Sequence, residues 1–142
     1  MSIELLACEK YIKQSLLAGA GLPPGTGIYA DVLPEGASLP AVLMSRQSAL
    51  DTSGGGGERL LTQPVYFVRG VVDGTCMDAL ITLAAAIDQA FRLSASTPPS
   101  FIGGVVVRGA HREEPLLGSS TEEGITYTYA GGLYRLFVYL PS

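Results

Sequence analysis

Apolar residues recur at helical spacing at the start of the chain, where Leu5, Cys8, Ile12 and Leu16 fall on one stripe. Ser2 suits an N-cap and Glu4 the positive end of a helix dipole, so the pattern predicts a helix from Ser2 to about Leu17. Gly19, Gly21, Pro23 and Pro24 end it and open a connector that lasts to Gly27. Two short β-like runs come next, Ile28 to Leu33 and Leu39 to Ser48, separated by the turn residues Pro34 to Ser38. Asp51 to Glu58 reads DTSGGGGE. The glycines Gly54, Gly55, Gly56 and Gly57 carry a large backbone entropy cost, which predicts a loop that is mobile in the isolated subunit and orders against a neighbour.

Leu60 to Asp73 reads as one long interior strand, with Tyr66, Val68 and Val72 on one face, Val65, Phe67 and Val71 on the other, and Arg69 interrupting. Asp73 and Gly74 make a turn, and Thr75 with Asp78 resembles a capping box that starts a second helix. Its expected buried stripe is Met77, Leu80, Ile81, Ala84, Ile87 and Phe91, with Asp88, Gln89 and Arg92 towards water. The run Ala84, Ala85, Ala86 is small enough to lie close on a sheet, and Pro98 and Pro99 stop the helix. Gly104 to Arg112 is a valine-rich strand, and Glu113 to Gly124 a polar loop. Gly131 and Gly132 read as a two-residue hairpin turn, pairing Ala130 with Leu133 and Thr128 with Arg135. In that register Ile125, Tyr127, Tyr129, Tyr134, Leu136 and Val138 share one face, leaving Thr126, Thr128, Arg135 and Phe137 outward as a candidate interface. The expected fold is α+β: a mostly antiparallel sheet of about five to six strands with two main helices packed on it, in a single domain spanning residues 1–142.

Composition sharpens the functional picture. Only 15% of the 142 residues are charged, against roughly 25% in an average soluble domain, and the mean hydropathy is positive at +0.32. Every apolar run is broken well before the ~20 residues of a spanning helix, so burial against other protein chains explains the low charge better than a membrane does. The net charge of −4 opposes wrapping of nucleic acid, which takes clustered Lys and Arg. No signal-peptide pattern opens the chain, so synthesis in a cytoplasm is expected. Cys8 and Cys76 are too far apart for a zinc or CxxC site, and both are expected to be buried and chemically silent.

Catalytic and cofactor motifs find little support. Gly25, Gly27 and Ala30 spell GxGxxA, but after two prolines and before a β-like run, the wrong context for a dinucleotide. The Gly54–Gly57 run lacks the Gly-Lys-Ser/Thr ending of a phosphate loop. His111 is the only histidine, and no GxSxG elbow accompanies it. Glu113, Glu114, Glu122 and Glu123 lack the calcium-loop spacing and read as a solvated acidic loop, which in an assembly could face DNA and keep it from sticking. The reading is therefore no enzyme, no cofactor and no metal. Arg69, Arg108 and Arg135 interrupt apolar strands and call for carboxylate partners, which a neighbouring subunit could supply.

The segments PAVLMSRQS (Pro40 to Ser48), the glycine-rich loop, YFVRGVVDG (Tyr66 to Gly74) leading into DALITLAAAIDQAF (Asp78 to Phe91), and the closing GGLYRLFVYL (Gly131 to Leu140) follow one another in a telling order. This order resembles the tail terminator, or tail completion, proteins of long-tailed bacteriophages over nearly the whole chain. The resemblance implies a virion structural protein, made in the host cytoplasm, that forms a ring, typically hexameric. Such a ring caps the tail tube, stops its polymerisation and joins the neck. The implied partners are other copies of the chain, the tail tube protein and a head-completion protein, with DNA sliding through the lumen unbound. Alternatives are another phage connector, such as a head-completion or tube-adaptor protein, or a small dimeric α+β enzyme or ligand-binding domain with a pocket around His111.

Overall fold

The computed structural model describes residues 3–19, 21–23, 25–48, 51–53, 59–74, 77–95, 100–122 and 124–139. The expected positions Ser2, Thr75, Cys76, Glu123 and the Gly54–Gly57 loop lie outside them. Helix α1 spans Ile3–Ala18 and α2 Met77–Ala95. Five strands form the body of one sheet: β1 (Gly27–Ala30), β2 (Ala41–Ser48), β5 (Val65–Asp73), β7 (Val105–Glu122) and β8 (Ile125–Tyr139). Three short strands, β3 (Asp51–Ser53), β4 (Arg59–Thr62) and β6 (Ser100–Ile102), are added at its margins. The body runs β1-β2-β5-β8-β7, antiparallel throughout except for β1 beside β2. The fold is α+β, with both helices on one face of a mostly antiparallel sheet.

Even-numbered residues of β5 and β8 point to the helices. Val68, Tyr134, Leu136 and Val138 join Cys8, Ile12 and Leu16 of α1 and Ile87 and Phe91 of α2 in the main core. Tyr66 fixes α1 on the sheet by donating its hydroxyl to the Leu5 carbonyl, 3.3 Å away. The α1 stripe is as the periodicity predicts, with Cys8 fully buried. The α2 stripe holds at Leu80, Ile87 and Phe91 and is rotated elsewhere: Leu83, Ala86 and Ala90 are buried, whereas Met77 is exposed and Ile81 is 61% exposed. The rotation follows from close approaches that no one-helix pattern contains. Leu83 packs over Gly70, where an added Cβ would lie 2.6 Å from its own Cβ, and Ala90 and Ala86 receive Gly19 and Gly21 at the end of α1. Ala86 thus serves the helix–helix contact, and Ala85 is exposed.

Four further expectations are corrected. The long strand from Leu60 is two strands, β4 and β5, parted at Gln63 and Pro64, because Pro lacks the N–H a continuous ladder needs. Glu113 to Gly124 is mostly strand: β7 continues to Glu122, since β8 offers a full pairing partner and a polar sequence is tolerated on an exposed edge. The chain reverses between Glu122, the last residue of β7, and Ile125, the first of β8, with Gly124 at φ +79°, and not at Gly131–Gly132. Those two glycines sit in mid-strand, where Gly131 pairs with Arg69 on one side and Leu116 on the other. A side chain at Gly131 would collide with the Val68 carbonyl and lie 2.6 Å from the Arg69 Cα. The glycines permit close backbone approach rather than reversal.

The fourth correction follows from the third. Without a turn at 131–132 the alternation of β8 runs unbroken, so Thr126 and Thr128 fall on the helix side and cannot share a face with Arg135 and Phe137. Thr128 is buried and donates its hydroxyl to the Gly74 carbonyl at 2.6 Å, while Gly74 N–H donates to the Thr126 carbonyl at 2.8 Å. These bonds hold the tight β5–α2 junction, where Gly74 has φ +76°.

Gly131→Ala is expected to lower the unfolding free energy by about 3 kcal/mol or more, the upper end for overpacking, because the obstructing atoms are backbone. Leu83→Ala should cost about 2–5 kcal/mol, while Ile81→Ala should stay within about 0.5 kcal/mol. Urea unfolding of the three variants checks both the strand continuity and the rotation of α2.

Candidate functional site

The face of the sheet away from the helices is built from odd-numbered residues of β5 and β8 and their neighbours. Ala41, Leu43, Val65, Phe67 and Val71 on it are apolar and buried. Arg69, Tyr129, Leu133, Arg135 and Phe137 are half-buried. Of the expected interface residues, Arg69, Arg135 and Phe137 therefore share this face, with Tyr129 and Leu133.

Arg69 is the centre of this face. Its guanidinium carbon lies 4.5 Å from the centre of the Phe67 ring and 4.8 Å from that of Tyr129, and the two rings meet edge to face at 5.7 Å. Gly131 opposes Arg69 in register, and Gly118 opposes Tyr129, whose ring covers the position a Gly118 Cβ would take. Among the described residues no ion pair involves Arg69. Burial lowers its pKa from the ordinary arginine value, although it stays cationic at any physiological pH. The sequence expectation of a carboxylate is met instead by two aromatic faces, whose quadrupoles attract a cation by about 0.5–2 kcal/mol. Arg108 makes a looser contact of the same kind, 5.5 Å from the Tyr139 ring centre.

Arg135 does find a carboxylate, within its own chain. Its Nε donates to Glu113 Oε1, and Glu113 sits at the β7 irregularity between Arg112 and Glu114. This hydrogen bond holds the Glu113 carboxyl below the ordinary carboxylate range. Arg135 is thus less free to meet a partner than its sequence context suggests. His111 lies opposite Arg135, exposed. Ser119 is eight residues further along the same strand, about 26 Å at 3.3 Å per residue, so the two cannot cooperate in one catalytic unit.

On the helix side, Asp88 is half-buried rather than solvated. It accepts from the Tyr134 hydroxyl at 3.3 Å and pairs with Arg92 at 3.0 Å and Arg112 at 3.8 Å. Burial, then the Asp88 charge, pushes the Tyr134 pKa upward. A groove of about 350 Å³ runs between the ends of α1 and α2, lined by Tyr11, Gln14, Ser15, Ala90 and Leu93 among others. The Tyr11 hydroxyl at its floor is buried and lacks a hydrogen bond of good geometry; burial raises its pKa. A smaller pocket of about 130 Å³ gathers Glu9, Asp31, Arg46 and Tyr66. Asp31 there has φ 67°, and Glu9 is raised by burial first and by the Asp31 charge second. Among the described residues, no group of three or more His, Cys, Asp or Glu could hold a metal ion, and no helix is long and apolar enough to cross a membrane.

The aromatic clamp was hidden from the sequence because it joins β5 to β8 across 60 residues of chain. The only local sign was an arginine interrupting an apolar strand. The Glu113–Arg135 pair gives a testable pH dependence. Because the folded Glu113 pKa is depressed, its contribution is present above the unfolded carboxylate pKa and is lost as pH falls through the lower folded value. Glu113→Gln should therefore lose less stability than the wild-type chain between pH 6 and pH 3, with a difference of at most about 1 kcal/mol for so exposed a pair. Thermal unfolding across that range measures it.

Compared with models of known protein families and with curated proteins, the chain matches none.

Proposed function

We propose that this chain is a non-enzymatic virion component of the tail terminator kind. It would form a ring, hexameric in the family it resembles, at the head-proximal end of a phage tail. There it would stop polymerisation of the tail tube and join the neck, contacting the tube protein on one side and a head-completion protein on the other, with DNA passing through unbound. The observation that carries this reading is the helix-free face of β5 and β8. A tube of stacked identical rings has no intrinsic end, so a cap must offer one surface that replaces the next ring. Tyr, Phe and Arg around a desolvated centre are the residues enriched where protein interfaces hold most of their energy. Arg69 fits that role: its guanidinium is half-buried and clamped by two rings. A carboxylate from a partner would complete its hydrogen bonding. The low charge of the chain, 15%, is consistent with burial of surface in an assembly.

Complementation of a phage lacking this gene product tests the proposal. Without the protein, headless tails of uncontrolled length are expected in electron micrographs. Arg69→Ala with Phe137→Ala should reduce tails joined to heads at least tenfold while the purified protein keeps a thermal midpoint near that of the wild type. Normal tails attached to nothing would favour a neck adaptor instead. Normal particle yields from the double variant would remove this face from the interface.

A further inference from the structure

The five-strand body of the sheet ends in two strands that each have one open side, and the short strands β3 and β6 form further edges at its margins. Among the described residues β1 pairs only with β2, and β7 beyond its short contact with β6 pairs only with β8. An open edge presents unpaired N–H and C=O groups, and proteins block such edges with charges, proline and bulges. In β7 these devices are concentrated in the first two thirds, at Arg108, His111, Arg112, Glu113, Glu114 and Pro115, with register breaks at Val107/Gly109 and Arg112/Glu114, and Glu122 adds one charge at the last residue. From Leu116 to Thr121 there is neither charge nor proline. The register with β8 is unbroken there, and Leu117 is 65% exposed. The other edge strand is short, four residues followed by the exposed Asp31, but carries neither charge nor proline within it. β1 reads Gly27-Ile28-Tyr29-Ala30, with Ala30 exposed and Val32 beyond it 73% exposed.

The strand directions make these two edges partners. β1 runs with β2, and the steps to β5, β8 and β7 each reverse direction, so β1 is antiparallel to β7. A second copy set beside the first in the same orientation brings its β1 antiparallel to β7, with both helix layers on one side of a continuous sheet. We propose that the Leu116–Thr121 segment of β7 takes β1 of a second copy of this chain as its next strand. The proposal deepens the ring-forming reading and rests on it: a contact between two different edges is heterologous, and such contacts close into rings when the rotation per copy divides a full turn. Main-chain bonds would set the alignment of neighbours, as in other cases of strand addition, with Leu117 and Val32 adding apolar contact beside them.

The test uses two full-length double variants that guard one edge each: Leu117→Lys with Ser119→Lys on β7, and Ala30→Lys with Val32→Lys at β1. All four positions are exposed, so folding is expected to persist, as checked by thermal unfolding. In analytical ultracentrifugation the wild-type chain should form a closed oligomer, and each variant alone should remain a monomer at tenfold higher concentration. A one-to-one mixture should give a dimer and nothing larger, because only one competent pair of edges remains. Dimerisation of the β1 variant by itself would mean that β7 pairs with its own copy and would overturn the proposal, as would a wild-type oligomer from either variant. Should a lysine variant fail to fold, oxidation of mixed Ser119→Cys and Ala30→Cys chains replaces it: a mapped 119-to-30 crosslink supports the contact, and a 119-to-119 crosslink overturns it. Assembly and complementation that survive both guarded edges would remove the edge contact and leave the ring reading standing. A wild-type chain that never assembles, even with tail tubes supplied, would remove both.

Discussion

Strand β8 holds the sheet together, pairing with β5 on one side and β7 on the other, and it can do so only because residues 131 and 132 have no side chains. A Cβ at Gly131 would strike the Val68 carbonyl of the adjacent strand, and one at Gly132 would lie 2.9 Å from the Glu114 carbonyl. β8 pairs with β5 along all of β5 without a register break, and with β7 without one from Glu114 to Glu122. Arg69, opposite Gly131, lies against the Phe67 and Tyr129 rings on the helix-free face. The same constraint thus sets both the continuity of the sheet and the chemistry of its candidate interface.

The two faces of the sheet solve different problems. On the helix side, Thr128 is bonded to Gly74 and Tyr134 to Asp88, while the buried Tyr11 hydroxyl lacks a hydrogen bond of good geometry. On the other side, buried apolar residues alternate with half-buried aromatic rings and two guanidiniums. One of these, Arg135, is satisfied by Glu113; the other has rings in place of a carboxylate. An arrangement of this kind adds little to folding, since a half-desolvated cation offsets much of what its ring contacts contribute. It is better suited to specifying a partner.

Edge chemistry points in the same direction. β7 has neither charge, proline nor bulge between Leu116 and Thr121, and a sheet with one guarded and one unguarded stretch on the same strand would favour the unguarded stretch for a neighbour's attachment. The proposed ring would use the helix-free face for stacking and the edges for closure, so the two kinds of contact would not compete for one surface.

Sequence pattern determined what depends on short-range alternation. The α1 stripe, the two-sided pattern of β5, the C-terminal end of β2 at Ser48 and the α+β class were all legible because each rests on 3.6- or 2-residue periodicity within its elements. Tertiary structure decided what depends on distant neighbours. The face of α2 was set by Gly70 and by the end of α1, so Ile81 went out and Leu83 went in. The acidic segment after Arg112 became strand because β8 supplied a partner. A Gly-Gly pair is compatible with both a tight turn and a close strand crossing, and only the presence of β5 beside it selected the crossing. That choice moved Thr126 and Thr128 to the helix side and brought Tyr129 to Arg69. The chain alone could mark Arg69 as out of place in an apolar strand with Phe67 two residues before it; the second ring, Tyr129, came from 60 positions away, brought beside it by strand pairing.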